Sequence, residues 1–263
     1  MTSDPAPGLD LTALLDVAVG AARAGGEVVR TAFGAPRDVR AKGPGDWVSA
    51  TDTASERVVR AALEAGAPTI PVVGEEEGGE SAEVRWLVDP LDGTTNFLHG
   101  YPVVGVSIGL VVGTVPVVGV VHAPVLGDTY CAVAGGGAHR NGERLAVAAR
   151  PPEAAVCATG FPFRAKRSRL DAYLPVFERA LRTFEDLRRA GAASLDLAWT
   201  AAGVYDGYFE PALGPWDVAA GALLVREAGG VVTDWAGDPD AWLDSGDIVA
   251  APAPIHARIL DLC

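Results

Sequence analysis

The sequence predicts an α/β fold in which two layers of strands and helices pack together, and two observations support this prediction. Two helical patterns followed by short apolar strands occupy the first half, whereas strands and helices alternate in the second half. Hydrophobic residues make up 49% of the 263 residues and charged residues 21%, which is enough apolar material for a large core. We expect one domain, 1–263, with an N-terminal half of about residues 1–145 and a C-terminal half of about 150–263.

The first half begins with two helical patterns. Residues 10–33 carry apolar side chains near the helical period, which predicts an amphipathic helix. Residues 42–47 are polar and contain Gly and Pro, which predicts a loop. The next helix is predicted to begin near Thr53, because Thr53 and Glu56 form a capping-box pattern, and to end at Gly66.

Short strands follow the second helix. They are predicted at residues 70–73, 86–88 and 129–134. Residues 103–121 are apolar and nearly long enough to cross a membrane, but Gly113 and Pro116 interrupt them and β-branched residues dominate. Two buried strands joined by a tight turn therefore fit this segment better than a membrane helix.

The second half alternates between the two kinds of element. Strands are predicted at residues 154–159, 205–210, 231–233 and 248–251. Helices are predicted at residues 169–184, 193–202 and 216–228 and from residue 254 onward. The change between the two patterns of the chain falls near residues 140–155.

The charge and the cysteines limit the partners and the compartment. The formal net charge of −13 argues against binding to nucleic acid or to an anionic membrane, whereas a small anionic substrate remains compatible if a metal ion reverses the local charge. The three cysteines are widely spaced, and the N-terminus lacks the basic and apolar regions of a signal peptide. These features favour free thiols and a cytoplasmic protein.

Two acidic residues close the predicted strand at residues 86–88, in the stretch WLVDPLDGTTNF. Asp89 and Asp92 lie three positions apart at a strand end, which is where α/β proteins place their sites. Like charges at such a place repel each other unless a cation lies between them, and no Lys or Arg occurs between Arg85 and Arg140. A divalent cation that prefers hard oxygen ligands, such as Mg²⁺, is the natural partner.

The residues after Asp92 have the character of a phosphate-binding turn. Gly93 lets the backbone approach an anion closely, and the N–H groups at a helix start, together with the hydroxyl groups of Thr94 and Thr95, can hold it. Considered alone, the Asp92-Gly-Thr-Thr segment would also fit an ordinary turn with helix caps. The combination with Asp89 favours the functional interpretation.

Four other acidic residues each allow two interpretations from the sequence. Glu75 and Glu76 follow a predicted strand and would also fit a solvated charge run. Asp217 lies in the first turn of an apolar helix, where it could act only as a cap. Glu210 ends a predicted strand and is equally ambiguous by itself.

Taken together and in order, these motifs resemble the inositol monophosphatase family. The matching segments are Ser49-Ala-Thr-Asp52, Gly74-Glu75-Glu76, residues 86–97, the WDVAAG run at residues 216–221 and the EAGG run at residues 227–230. The resemblance spans nearly the whole chain. It implies the layered αβαβα sandwich of the inositol monophosphatase and fructose-1,6-bisphosphatase type. It also implies a Mg²⁺-dependent, lithium-sensitive phosphatase that forms a homodimer.

The resemblance implies two to three Mg²⁺ ions as cofactors. Glu75, Asp89 and the carbonyl of Leu91 would hold the first ion. Asp89, Asp92 and Asp217 would hold the second, with Asp89 bridging the two, and Glu75 would touch a weaker third ion. Glu75, Thr94 and Asp89 are the implied catalytic residues, with Thr94 and Glu75 orienting a water that attacks phosphorus.

The resemblance also implies the residues that surround the substrate. Those implied to contact it are Glu75, Leu91, Asp92, Gly93, Thr94, Gly191, Ala192, Ala193, Glu210 and Asp217. Those implied to support the site are Lys42, Asp46, Asp52, Glu76 and Thr95. Three departures from the family pattern stand out: Ser49 replaces Thr, Ala192 replaces Ser, and the loop at residues 42–52 is one residue shorter. The shorter loop leaves open whether a third ion is held.

The expected substrate is inositol 1-phosphate or a similar phosphorylated polyol. Thr95 favours it, because relatives acting on histidinol phosphate or nucleotides often carry Lys or Arg at this position. Glu210, seven residues before Asp217, also fits polyol recognition. Histidinol phosphate, fructose 1,6-bisphosphate and nucleotide 3'-phosphates remain alternatives. A non-catalytic metal-binding regulator of nucleic-acid machinery is the alternative from another class.

Overall fold

The structure is a computed structural model that describes residues 6, 8–35, 38–43, 46–148, 150–163 and 165–263, with the side chains of residues 46, 166 and 167 left out. The helices are α1 Leu11–Ala32, α2 Ala50–Gly66, α3 Thr94–Leu98, α4 Lys166–Thr183, α5 Ala193–Ala201, α6 Pro215–Glu227, α7 Trp242–Ser245 and α8 Ala253–Leu260. The strands are β1 Arg40–Gly43, β2 Asp46–Val48, β3 Val72–Gly74, β4 Val84–Asp92, β5 Gly105–Val112, β6 Val115–Ala123, β7 Asp128–Val133, β8 Gly137–Arg140, β9 Glu143–Arg144, β10 Val156–Thr159, β11 Asp186–Arg188, β12 Gly207–Glu210, β13 Val231–Thr233 and β14 Ile248–Ala251.

Two large sheets organise the molecule. Within the described ranges, the first has seven strands in the order β3-β4-β5-β6-β7-β8-β9, and only β3 and β4 run parallel to each other in it. The second has five strands in the order β11-β10-β12-β14-β13, with β10 parallel to both of its neighbours. The chain passes from the first sheet to the second between Arg144 and Val156. The division of the chain into one domain with two halves stays a prediction.

Helices cover both faces of each sheet, which confirms the predicted αβαβα sandwich. One apolar cluster joins α1 and α2 to one face of the seven-stranded sheet. A second cluster joins the other face of that sheet, α5 and α6, and the five-stranded sheet. A third joins the outer face of the five-stranded sheet to α4 and α8. Helices α5 and α6 therefore form the central layer of the sandwich.

The period-2 alternation of the strands explains why both sheets are covered twice. On β4, Trp86 and Val88 face α1 and α2, whereas Leu87 faces the central layer. On β12, Tyr208 faces the central layer and the next residue, Phe209, faces the outer one. Most side chains of such a strand are buried, which is why the sequence of the strand is a long apolar run.

The apolar run at residues 103–121 forms two strands as predicted. β5 and β6 pair antiparallel, with residues 113 and 114 in the turn between them. Across the described residues, no helix has both the length and the apolar character that a membrane span requires. The two strands lie in the middle of the seven-stranded sheet.

The predicted loop at residues 42–47 is wrong for its described part. Arg40–Gly43 and Asp46–Val48 pair as an antiparallel hairpin, with Ala41 opposite Trp47. Arg40, Ala41 and Lys42 form no alternation of buried apolar and exposed polar residues, so periodicity could not reveal the first strand. Backbone pairing alone defines this hairpin.

The predicted start of the second helix is also wrong. Helix α2 begins at Ala50, with Ser49 as its N-cap and a capping box between Ser49 and Asp52. Glu56 instead lies fully buried and accepts hydrogen bonds from the backbone N–H groups of Glu76 and Glu77 at 2.8 and 3.0 Å. The carboxylate of Glu56 therefore holds the loop after β3 rather than capping its own helix.

Two short elements escaped the sequence analysis. β11 has three residues and α7 has four, which is too short for a periodic pattern. Both depend on packing against longer elements: β11 pairs with β10, and the buried Trp242 of α7 joins the central core.

Candidate active site

Parallel pairing of β3 and β4 brings two predicted ligands together. Gly74 lies opposite Val88, and the N–H of Glu75 donates to the Val88 carbonyl at 3.0 Å. Glu75 therefore leaves β3 beside Asp89 of β4, at the carboxyl ends of both strands. This is the edge at which the sequence placed the site.

A bulge near the end of β4 separates the two aspartates. Asp89 pairs with Ser107 and Asp92 with Gly105, so β4 contains one residue more than β5 over this interval. The carboxylate of Asp89 accepts the N–H of Leu91 at 2.9 Å. Within the bulge, the backbone N–H of Leu91 therefore holds the Asp89 carboxylate in place.

The predicted phosphate turn has the backbone conformation that it requires. Gly93 has φ +88°, a left-handed conformation that side chains disfavour. A Cβ atom at this position would also lie 2.9 Å from the Val103 carbonyl. Thr94 begins α3 directly after Gly93, and both residues line one cavity. The first N–H groups of a helix have no partner within it, so this turn is suited to an anion.

Asp217 lies in the first turn of α6, where it both caps the helix and faces the acids of β4. Its carboxylate accepts the N–H of Gly214 at 2.7 Å. The hydroxyl of Ser107 donates to the Trp216 carbonyl at 2.9 Å, which ties the start of α6 to the strand paired with Asp89. Asp217 therefore caps α6, and its metal-binding role stays a prediction.

Carboxylate oxygens of Glu75, Asp89 and Asp217 all lie within 4.8 Å of one another. Asp89 and Asp217 are almost fully buried. Burial raises the pKa of Asp89 well above its ordinary value, and the negative charge of Glu75 raises it further. Three acids this close repel one another, so the group is suited to a bound cation.

Asp92 lies outside that group of three but lines the same cavity as Asp217. Its Oδ2 accepts two hydrogen bonds from Ser194, at 2.7 Å from the backbone N–H and 2.6 Å from the hydroxyl. Ser194 is fully buried in the first turn of α5. The N-terminus of α5 therefore fixes one oxygen of Asp92.

Lys42 reaches the site from the β1–β2 hairpin. Its ammonium group lies 3.1 Å from Glu75 Oε1 and 2.6 Å from Glu76 Oε1. Burial opposes the charge of Lys42, but the neighbouring carboxylates prevail and raise its pKa to about 12. Burial raises the pKa of Glu76 to about 7 despite the hydrogen bond from Lys42. The hairpin is thus tied to the metal-ligand candidate Glu75.

The hydroxyl of Thr94 has two described partners in the site. It lies 3.0 Å from Asp52 Oδ1 and 3.2 Å from the Leu91 carbonyl. The other oxygen of Asp52 accepts the N–H and hydroxyl of Ser49 at 2.8 and 2.6 Å. Burial raises the pKa of Asp52. Asp52, predicted only as a supporting residue, is therefore the partner of Thr94.

Asn96 connects the phosphate turn to the segment at residues 191–193, although the sequence analysis gave it no separate role. Its side-chain amide donates to the carbonyls of Val103, Ala190 and Gly191 at 2.8, 2.9 and 3.3 Å. Ala192 itself is buried at the N-terminus of α5. Asn96 is part of the WLVDPLDGTTNF motif, and its amide, which can donate two hydrogen bonds, was the feature of the sequence that could have indicated this connecting role.

A cavity of about 410 Å³ opens above these groups. Its wall includes the predicted residues Asp92, Gly93, Thr94, Thr95, Gly191, Ala193, Glu210 and Asp217. Thr95, the residue that favoured inositol, is exposed at this wall. The side chain of Asp46 lies outside the described residues, so its supporting role stays a prediction.

An aromatic part of the wall was not predicted. Trp47, Phe161 and Phe163 line the cavity, and the Arg189 guanidinium lies 5.6 and 5.2 Å from the Phe161 and Phe163 ring centroids. The FPF letters at residues 161–163 follow a strand end, which was the signal available in the sequence. Ser194, which holds Asp92, was likewise missed beside the predicted Ala193.

The profile of the inositol monophosphatase family matches residues 10–262. The chain belongs to the inositol monophosphatase family. A Nus factor SuhB from Pseudomonas aeruginosa is 44% identical to it over 256 residues, which cover 94% of each protein. The solved structure of the extragenic suppressor protein suhB from Bartonella henselae is 38% identical and covers 95% of this chain and 98% of its own, with a TM-score of 0.89. The inositol monophosphatase from Anabaena (Nostoc) is 35% identical over 97% and 96% of the two chains, with a TM-score of 0.87.

The residues of this inositol monophosphatase family member fit Mg²⁺, on which the family depends. The group of Glu75, Asp89 and Asp217 supplies hard anionic oxygens and is mostly buried. Among the described hydrogen bonds, Lys42 contacts Glu75. A divalent ion would balance the charge that remains.

Proposed function

We propose that the protein hydrolyses phosphate monoesters with the help of Mg²⁺, and that inositol 1-phosphate or a similar phosphorylated polyol is its substrate. The observation that carries this proposal is the group of three carboxylates within 4.8 Å beside the Gly93–Thr94 turn. The first feature suits a divalent cation and the second suits a phosphate group. Family membership supports the same reaction.

The acidic residues would bind two to three Mg²⁺ ions. Glu75, Asp89 and Asp217 would hold them, with the Leu91 carbonyl and Asp92 as further ligands. When bound, Mg²⁺ stabilises negative charge on the phosphate oxygens and lowers the pKa of water. The N–H groups of Gly93 and Thr94 would bind the phosphate and orient it.

Thr94 and Asp52 would handle the proton of the attacking water. The hydroxyl of Thr94 directs its own hydrogen to Asp52, so its oxygen can accept a hydrogen bond from a water in the cavity. The raised pKa of Asp52 makes this carboxylate a better base for the proton that leaves. The proposal adds Asp52 to Thr94 and Glu75, which the family resemblance implies as the residues that orient this water.

The substrate assignment depends on the cavity wall. Glu210 and Asp217 would accept hydrogen bonds from substrate hydroxyl groups, and Thr95 adds a small neutral side chain at the same wall. A polyol offers several hydroxyl groups for these acceptors. Histidinol phosphate would bring a cation to the same wall, and a sugar bisphosphate or nucleotide 3'-phosphate would bring further negative charge.

A second candidate is a regulatory function without catalysis. It is favoured by the name Nus factor, carried by the Pseudomonas aeruginosa relative at 44% identity. The retained carboxylates and the Thr94–Asp52 pair support catalysis, and the net charge of −13 disfavours direct contact with nucleic acid. The two functions do not exclude each other in one protein.

Phosphate release distinguishes these candidates. We expect the purified protein to release phosphate from inositol 1-phosphate in the presence of Mg²⁺. We expect this release to stop when the ion is chelated. A panel of histidinol phosphate, fructose 1,6-bisphosphate and a nucleoside 3'-phosphate ranks the substrates. Failure to hydrolyse any of these esters with Mg²⁺ would remove the enzyme proposal and leave the regulatory one.

Lithium sensitivity and dimer formation belong to the same proposal. Millimolar Li⁺ is expected to inhibit by occupying a metal site, with Na⁺ at equal concentration as the control. A homodimer is expected in sedimentation velocity. A Li⁺-insensitive enzyme would argue against this mode of inhibition without affecting the Mg²⁺-dependent reaction.

A further inference from the structure

Tyr208 is a buried tyrosine behind Glu210 on the same strand. The two residues lie two positions apart on β12, so their side chains leave the same face of the sheet. Tyr208 is fully buried in the core around α5 and α6. Its hydroxyl donates to Oε2 of Glu210 at 2.5 Å, which is the short distance of a charge-assisted hydrogen bond.

The backbone of residue 160 packs against the same carboxyl group. A Cβ atom on Gly160 would lie 1.8–1.9 Å from the carboxyl carbon and both oxygens of Glu210. No side chain larger than hydrogen fits there unless Glu210 moves. The carboxyl group is therefore held between Gly160 and the hydroxyl of Tyr208 while Glu210 lines the cavity.

The chemistry of the pair makes Tyr208 a permanent donor. Burial raises the pKa of Tyr208 well above its ordinary value, and the charge of Glu210 raises it further. The phenol keeps its proton, so Glu210 always receives a hydrogen bond from this side. A carboxylate fixed in this way presents one orientation to a ligand in the cavity.

We propose that Tyr208 is a positioning residue that orients Glu210 toward the hydroxyl groups of the substrate. It would thereby make the enzyme select phosphorylated polyols over phosphate esters that lack hydroxyl groups. This inference rests on the proposed phosphatase function and adds the residue that sets its selectivity. Tyr208 would not touch the substrate, because its side chain is buried behind Glu210.

The test compares two esters in the variant Tyr208→Phe, which keeps the ring and removes the hydroxyl. Inositol 1-phosphate carries the hydroxyl groups, and phenyl phosphate has none. We expect kcat/KM for inositol 1-phosphate to fall about tenfold, mainly through KM, since a hydrogen bond to a charged group is lost. The value for phenyl phosphate should change less than about twofold, because Glu210 has no hydroxyl group to bind there.

Two variants control this test. Tyr130 is another fully buried tyrosine, in the seven-stranded sheet, and its hydroxyl lies 3.4 Å from Asp128 Oδ2. Tyr130→Phe removes this hydroxyl and should leave kcat/KM for both esters unchanged. In a Glu210→Ala background, which leaves Tyr208 no side-chain acceptor at this position, Tyr208→Phe should cause no further loss of selectivity, because its effect passes through Glu210. Thermal melting checks that each variant is folded.

The outcomes separate the inference from the function beneath it. An equal loss on both esters, or an unchanged preference for inositol 1-phosphate, would overturn the role of Tyr208 and leave the phosphatase intact. Absence of turnover of both esters by the unmodified protein would overturn the proposed function and this inference with it. If Tyr208→Phe does not fold, Gly160→Ala provides the test. Its added methyl group would displace the carboxyl group of Glu210 and should produce the same loss of selectivity.

Discussion

At the scale of single residues, Asp89 carries the strongest argument for a bound cation. It is buried beside Glu75 and Asp217, and no basic side chain contacts it in the described hydrogen bonds and ion pairs. Such an arrangement lowers the stability of the folded protein unless a cation binds, because each carboxylate raises the cost of ionising the others. The same three residues therefore join function and stability.

Asp89→Asn tests this balance directly. We expect the metal-free variant to melt at a temperature equal to or above that of the unmodified protein, because one negative charge of the group is gone. In the unmodified protein, Mg²⁺ at about 100 times its Kd should add about 2.7 kcal/mol of stability, which raises Tm by about 5–10 °C. The variant should lose most of this increase and nearly all phosphatase activity.

Differential scanning calorimetry with and without Mg²⁺ measures the first effect. Asp16→Asn on the exposed face of α1 is the matched control and should behave like the unmodified protein. A Mg²⁺-dependent rise in Tm that is as large in Asp89→Asn as in the unmodified protein would contradict the bridging role of Asp89.

Ser194 is the second residue whose substitution is informative. Its hydroxyl and N–H both bind one oxygen of Asp92, and Ser194→Ala removes only the hydroxyl contact. Since the hydroxyl donates to a charged group, its loss should free Asp92 to reorient. We expect the Mg²⁺ concentration for half-maximal activity to rise about three- to tenfold.

Metal titration of the activity measures this change. Thr200→Val lies on the same helix and removes a hydroxyl that bonds only to the Asp196 carbonyl in the described contacts, so it should leave the titration unchanged. Equal titration curves for Ser194→Ala and the unmodified protein would show that the N–H alone positions Asp92.

At the scale of elements, two glycines determine where α6 lies. Gly109 of β5 and Gly119 of β6 are opposite each other in the sheet. A Cβ on Gly109 would lie 2.8 Å from the Cβ of Ala219, and one on Gly119 would lie 2.8 Å from the Ala220 carbonyl oxygen. The helix that carries Asp217 therefore packs directly on the backbone of the sheet.

Gly109→Ala should displace this helix. We expect a loss of about 1–3 kcal/mol in the free energy of unfolding, because the inserted methyl group overfills a packed contact. The Mg²⁺ affinity should fall as well, since Asp217 moves with α6. Urea unfolding and calorimetric Mg²⁺ titration measure the two effects.

Gly20→Ala is the control for that experiment. Gly20 is exposed in the middle of α1 and nothing lies within 4 Å of the position where a Cβ would stand. This variant should gain roughly 0.5–1 kcal/mol, because alanine favours helix more than glycine does. If Gly109→Ala also caused no loss of stability or of Mg²⁺ affinity, the close contact between α6 and the backbone of β5 would not be required.

The two corrected elements show why local patterns were insufficient at this scale. Both Ser49 with Asp52 and Thr53 with Glu56 satisfy a capping-box pattern, and the sequence does not rank them. The loop after β3 determines which pair caps the helix, because its N–H groups donate to the carboxylate of Glu56 and so occupy it. Likewise, the β1–β2 hairpin has exposed side chains, so only backbone pairing reveals it.

At the scale of the whole molecule, the site is assembled from both halves of the chain. Glu75 and Asp89 come from the seven-stranded sheet, whereas Asp217 and Ser194 come from the two helices between the sheets. Because α5 and α6 pack against both sheets, neither sheet can bury its apolar face without them. Loss of either half would therefore dismantle the candidate metal site.

We expect this shared core to make unfolding a single cooperative transition. Far-UV circular dichroism and tryptophan fluorescence should give the same urea midpoint, both with Mg²⁺ and without it. Trp86 reports the seven-stranded sheet, and Trp235 and Trp242 report the second half. Separate midpoints for the two probes would divide the chain into two folding units and contradict the expectation of one domain.

The sequence by itself determined the fold class, the family and the edge at which the acids meet. Continuous apolar strands, alternating helices and the order of the acidic motifs are local properties, so they can be read along the chain. It also predicted a cation beside Asp89 and Asp92, since their spacing and the lack of nearby basic residues are visible in the sequence.

The tertiary structure alone decided which side chains meet across long stretches of sequence. The pairing of Thr94 with Asp52, the contact of Ser194 with Asp92 and the group of Glu75, Asp89 and Asp217 join residues from 14 to 142 positions apart. Such contacts depend on strand register and on the close approach of α6 to the sheet. Neither leaves a periodic signal, because both are set by the packing of the whole core.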